Sequence, residues 1–170
     1  GLYDLLTDLG EDPEAIIAGR PDAGEFWGLD LDNWLDIAVF NFTVDRAGSH
    51  QIMEYRESSY LPWGASQEEV LEDEEDHYDN GVENLKQFAK DPAQLAAFQK
   101  VYDRVMPNAL KRAFGRLEGA DNDFCLEHGL KRNTTEAIVN RYLKEMHSHM
   151  KGTGLVFPPM SAFEAINCEL

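Results

Sequence analysis

Cysteine is scarce in this chain. Cys125 and Cys168 are the only thiols among 170 residues. Two thiols make no disulfide framework, and a reducing cytoplasm suits such a sequence best. No apolar run approaches the ~18 residues of a membrane span. The acidic start also lacks the basic residues that open a signal peptide. A Gly-rich phosphate loop, a GxSxG elbow and a CxxC pair are missing as well, so none of the motifs that announce a reaction is present.

Basic residues are scarcest where acids are densest. The net charge is −17, against a magnitude of ~2–8 that suffices to keep a small domain soluble. Residues 1–79 hold 21 of the 32 acids against Arg20, Arg46 and Arg56, a net −18. Residues 80–170 hold the remaining 11 acids and 12 bases, a net +1. Self-repulsion on this scale costs stability, so the excess calls for a reason beyond solubility. It disfavours nucleic acid and anionic membrane as direct partners, since both require cationic surface.

A hydrophobic fraction of 43% and a length within the single-domain range imply one globular domain, residues 1–170. Its apolar patterning predicts an α+β fold, a small antiparallel sheet packed against a layer of helices. Leu35–Val44 is rich in β-branched and aromatic residues with partial alternation. Asp45-Arg46-Ala47-Gly48 supplies turn residues, and Ser49–Glu57 can return, giving a hairpin over about 35–57. Phe26–Leu31 and Leu155–Phe157 are candidates for a third strand, and Tyr60, Pro62 and Trp63 lead out of the sheet. Helices are expected over Leu2–Leu9, Glu14–Ala18, from Ser66 to a break at Asp79-Asn80-Gly81, and over Val82–Ala89. A further helix over Ala93–Leu117 would be bent or split by Pro107, and a last one would be capped by Asn133.

The densest acid lies in Ser66–Asn80, where Glu68, Glu69, Glu72, Asp73, Glu74, Glu75, Asp76 and Asp79 occur with no Lys or Arg. Ser66-x-x-Glu69 reads as a capping box at the start of that helix. Glu68-Glu69-x-x-Glu72 matches the first half of the EExxE…ExxD pattern of all-α nucleotide pyrophosphohydrolases, whose carboxylates hold Mg²⁺ against phosphate. The second half fails, because the chain offers Glu83-x-x-Lys86 and Lys100-x-x-Asp103. A β-hairpin ahead of the helices also sits badly with that fold. Glu74-x-x-His77 is half of a di-iron carboxylate pattern, and Glu145 and His149 stand four apart rather than three. His147 and His149, two apart on a helix, point away from each other. Asp121-x-Asp123-x-Cys125-x-Glu127 lacks the glycine of a calcium loop. Cys125 beside His128 is crowded by acids that discourage a reactive thiolate.

No complete catalytic, metal or cofactor set emerges. What remains is an acidic helix face suited to a basic protein partner, with Glu68, Glu69, Glu72, Asp73, Glu75, Asp76, Asp79, Tyr60 and Trp63 as its contact residues. The basic stripe of Lys100, Arg104, Lys111, Arg112 and Arg116 could neutralise part of it from inside. The charge profile is similar to that of immunity and antitoxin-type inhibitors that cover basic effectors. The alternative is a metal-dependent hydrolase acting on a phosphorylated small molecule through the carboxylates of 68–77. A third reading, adaptation to high salt, fits poorly with acid concentrated in one half.

Overall fold

The computed structural model describes residues 1–20, 30–115 and 117–164. Two short helices, α1 (Leu2–Asp8) and α2 (Pro13–Ala18), precede the main body. The segment expected to form a hairpin is instead one continuous helical rod. It runs from α3 (Trp34–Phe40) through a π-helical turn (Asn41–Asp45) into α4 (Arg46–Arg56). Then follow α5 (Leu61–Phe88), α6 (Pro92–Phe114), α7 (Ala120–Glu127), α8 (Thr135–Met150) and α9 (Met160–Glu164).

The expected α+β architecture is therefore corrected. Of the described residues, 75% are helical and none lies in a strand. Asn33 explains the local choice, because its side chain accepts hydrogen bonds from the Leu35 and Asp36 amides and starts a helix where a strand was expected. Burial at Ala38, Val39, Phe42, Thr43, Ala47 and His50 then follows a helical stripe rather than the alternation of a strand. Packing on the neighbouring helices overrides the β-propensity of Ile37, Val39, Thr43 and Val44. The candidate strand at Leu155–Phe157 is irregular and is tied down by Gln99, whose amide exchanges two hydrogen bonds with the Val156 backbone. Of the other candidate, Phe26–Leu31, residues 26–29 lie outside the described residues, as does Trp27.

Paired contacts give the helix directions. Along α5, Gly64 meets Arg56 and Gly81 meets Phe42, so α5 runs back along the α3–α4 rod. Between α6 and α8, Tyr102 reaches Met150 and Met106 reaches Tyr142, again antiparallel. Arg141 and Glu145 of α8 lie beside Glu54 and His50 of α4. The rod, α5, α6 and α8 thus form an up-and-down four-helix bundle. Its core holds Phe42, Leu85, Phe98, Tyr102, Met106 and Tyr142, all almost fully buried.

Four expected helix starts, breaks and caps also change. α5 starts at Leu61 with Pro62 in its first turn, and Ser66 donates to the Trp63 carbonyl at 2.8 Å, so Ser66 is not a cap. Asp79-Asn80-Gly81 does not break the helix. A Cβ on Gly81 would come within 2.4 Å of the Phe42 nitrogen; the glycine is there to let two backbones touch. Pro107 is buried inside an uninterrupted α6. Thr134, rather than Asn133, caps α8.

Candidate functional site

α5 presents two opposed sides to its surroundings. With 3.6 residues per turn, Glu68, Glu69, Glu72, Asp73, Glu75, Asp76 and Asp79 span an arc of roughly 160°. All seven are exposed. The ion pair described for this arc is the long contact of Glu68 with Arg56, at 3.9 Å between two solvated side chains, and such pairs contribute little. Arg104 of the basic stripe pairs with Asp36 at 3.1 Å instead. Of the two aromatic residues expected beside the acids, Tyr60 is exposed just ahead of α5, while Trp63 is half-buried against the Tyr55 ring.

The inner side of α5 carries Glu74 and Tyr78 toward the π turn and α8. The π turn adds one residue to the rod, which rotates everything after it by about 100°. Its Thr43 carbonyl accepts the hydroxyl of buried Tyr142 at 3.1 Å, so the altered backbone keeps a partner. This turn brings Asp45 next to Glu74 and His77. One donor atom from each of the three lies within 4.8 Å of the others. With its amide turned so that nitrogen and oxygen exchange places, Asn41 donates to Asp45 Oδ2 and to the Ile37 carbonyl, both at 3.1 Å.

Burial, followed by the Glu74 charge, pushes the Asp45 carboxyl up to about 6, with His77 acting in the opposite direction. Glu74 is likewise raised by burial, against the effect of His77. Its Oε2 is buried and has no hydrogen-bond partner among the described residues; the His77 ring stands 3.8 Å from it.

Beyond Arg46 the seam continues as a hydrogen-bonded network, in which Arg46 Nε and the Tyr78 hydroxyl are buried without a hydrogen-bond partner among the described residues. Arg46 donates to Glu145 Oε1 at 2.5 Å, and its guanidinium lies 4.2 Å from the centre of the Tyr78 ring. His50 Nε2 stands 2.9 Å from the other Glu145 oxygen. Arg141 Nε donates to His50 Nδ1 at 3.1 Å. That nitrogen must therefore accept, which leaves the proton on Nε2 facing Glu145. Arg141 also donates to Glu54, which accepts from the Asn133 side chain and backbone. Burial alone would raise Glu145, but bonds from His50 and Arg46 overcome it and hold the carboxyl at about 2. Glu54 is lowered in the same way, the bonds from Asn133 and Arg141 outweighing its burial.

The remaining patterns are not gathered into a site. Glu68, Glu69 and Glu72 point outward, away from Glu74, so the EExxE resemblance gains no convergent geometry. The all-helical bundle does remove the hairpin as an objection to it, but the missing second half stands. His147 faces Phe157 and His149 faces Tyr78. Residues 120–127 form α7, not a calcium loop. His128 stacks on Phe124 and contacts its carbonyl. Asp45 escaped the sequence reading because its place there was a hairpin turn. Glu74-x-x-His77 was the one visible signal of this constellation.

Compared with models of known protein families and with curated proteins, the chain matches none of them.

Proposed function

We propose that this protein works by binding, docking on a basic protein partner through the outer face of α5. A single observation carries the reading: seven exposed carboxylates occupy one broad arc of one helix, with a single long ion pair described among them. An uncompensated field of that kind steers cationic partners and rejects anionic ones. Tyr60, exposed beside the first turn, offers an aromatic anchor at the edge of the acidic surface. The reading in its most specific form is an immunity or antitoxin-type inhibitor that covers the basic site of an effector.

Titration against a panel of cationic nucleases tests this. Tight binding that weakens steeply between low and physiological salt supports it. Binding indifferent to salt, or no preference for basic proteins, counts against it. The alternative, a hydrolase of phosphorylated small molecules, would need Glu68, Glu69 and Glu72 to converge on Mg²⁺. Their spread over the solvent face makes docking the better reading. A Mg²⁺-induced rise in melting temperature that Glu72→Ala abolishes would reverse that preference.

A further inference from the structure

The constellation on the inner side of α5 supports a second property, independent of docking. We propose that Asp45, Glu74 and His77 bind one divalent transition-metal ion of the Zn²⁺ or Mn²⁺ class. His77 Nδ1 lies 3.8 Å from Glu74 Oε2 and 4.0 Å from Asp45 Oδ2. Those separations are too long for hydrogen bonds. They suit two ligands of a shared ion, because metal–ligand bonds of about 2.0–2.2 Å hold neighbouring donor atoms about 3.3–4.4 Å apart.

A separate observation favours a cation at this place. Glu74 Oε2 is buried and accepts no hydrogen bond, a condition that buried carboxylate oxygens rarely tolerate. Its neighbour across the helix interface is a second carboxylate, Asp45, itself mostly buried. Arg46, the next residue in the chain, does not answer either charge. It is committed to Glu145 and to the Tyr78 ring. The described ion pairs of Asp45 and Glu74 are with half-exposed His77 alone.

The scaffold around the trio is firm. Gly81 against Phe42 and Gly64 against Arg56 fix α5 on the rod at two points, and the ligands lie between them. In the amide orientation that satisfies its hydrogen bonds, Asn41 donates to Asp45 from outside the ligand set, the part that outer-shell donors play at metal sites. One imidazole and two carboxylates suit borderline Zn²⁺ best; Mn²⁺, though harder, accepts an imidazole beside carboxylates, whereas Ca²⁺ and Mg²⁺ favour all-oxygen sets. With three protein ligands and His77 open to solvent, the remaining coordination positions would be taken by water.

Calorimetric titration of chelator-treated protein with Zn²⁺ and with Mn²⁺ tests the site. One ion per chain is expected. Loss of a direct ligand should weaken binding at least as much as loss of an outer-shell partner, about tenfold or more. His77→Ala and Glu74→Gln should both show that loss, and the outer pair E72Q/D76N should not. His77 is 54% exposed, so His77→Ala keeps the fold, which circular dichroism verifies. No saturable uptake of either ion, uptake indifferent to His77→Ala and Glu74→Gln, or uptake lost with the outer pair would overturn the proposal.

Discussion

On the outer side of α5, Glu72 and Asp76 stand in water. On its inner side, Glu74 lies against Asp45 with one oxygen that accepts no hydrogen bond among the described residues. The residues are chemically alike and at most two positions apart. Outside, their charge is a field that acts at a distance and is weakened by salt. Inside, each charge has to be answered by a specific neighbour, and the α4–α8 network shows what an answered one looks like. Glu145 has Arg46 and His50, and its carboxyl is held low; Asp45 and Glu74 share one exposed histidine and are held high. Helical position, not residue type, divides docking surface from binding seam.

The largest effect should come from breaking the contact that fixes the two sides. Gly81→Ala places a Cβ 2.4 Å from the Phe42 nitrogen, where backbone rather than a side chain must move. A loss of about 3 kcal/mol or more is expected in urea unfolding. A loss below 0.5 kcal/mol would mean that the helices are not in this close contact.

Next comes the answered charge. Glu145→Gln leaves Arg46 and His50 with a weaker acceptor at a half-buried position. Chemical denaturation should show a loss of about 2–3 kcal/mol. Arg46→Lys should recover little when made alone, since a lysine cannot keep both the carboxylate bond and the stacking on Tyr78.

Smaller, and opposite in sign, is the effect of removing the unanswered charge. Asp45 keeps its proton up to about 6 in the folded chain, against an ordinary value of 3.8. The stability this confers is complete below 3.8 and is lost as pH rises through 6. Glu145, lowered from 4.5 to about 2, confers stability above 4.5 that is lost as pH falls toward 2. Metal-free protein should therefore gain stability from pH 7 down to about 5 and lose it below about 4.5. Asp45→Asn should raise stability at pH 7 by about 1–2 kcal/mol and flatten the gain between pH 7 and 5. A melting profile in which Asp45→Asn destabilises at pH 7 would show that the Asp45 charge is compensated in the fold.

On the outer face, E72Q/D76N should change stability by no more than about 0.5 kcal/mol. A larger loss in thermal melts would mean these acids are structural.

Parts of this arrangement could be read from the sequence. Glu68 to Asp79 is visibly acidic, and its helical spacing places the charges on one broad arc. The apolar stripe of Leu95, Phe98, Tyr102 and Val105 identifies α6. The rod was not legible, because Ile37, Val39, Thr43 and Val44 favour strand locally while the bundle around them demands helix. Asn33 was the overlooked clue, a capping residue directly before the apolar run. Gly81 misled for a related reason: glycine marks breaks and close approaches alike, and only the position of Phe42 distinguishes them. Asp45 could not be paired with Glu74 at all, since the π turn that joins them depends on packing from Tyr142 and α5.

The division of α5 into two faces is tested most directly by comparing variants against one basic partner at low salt. The outer set E69Q/E72Q/D76N should lower affinity for a cationic nuclease that binds the wild type by about tenfold or more, with a flatter salt dependence. Asp45→Asn should leave that affinity within about twofold. Equal losses from both variants, or binding that survives the outer set unchanged, would contradict the assignment of docking to the outer face.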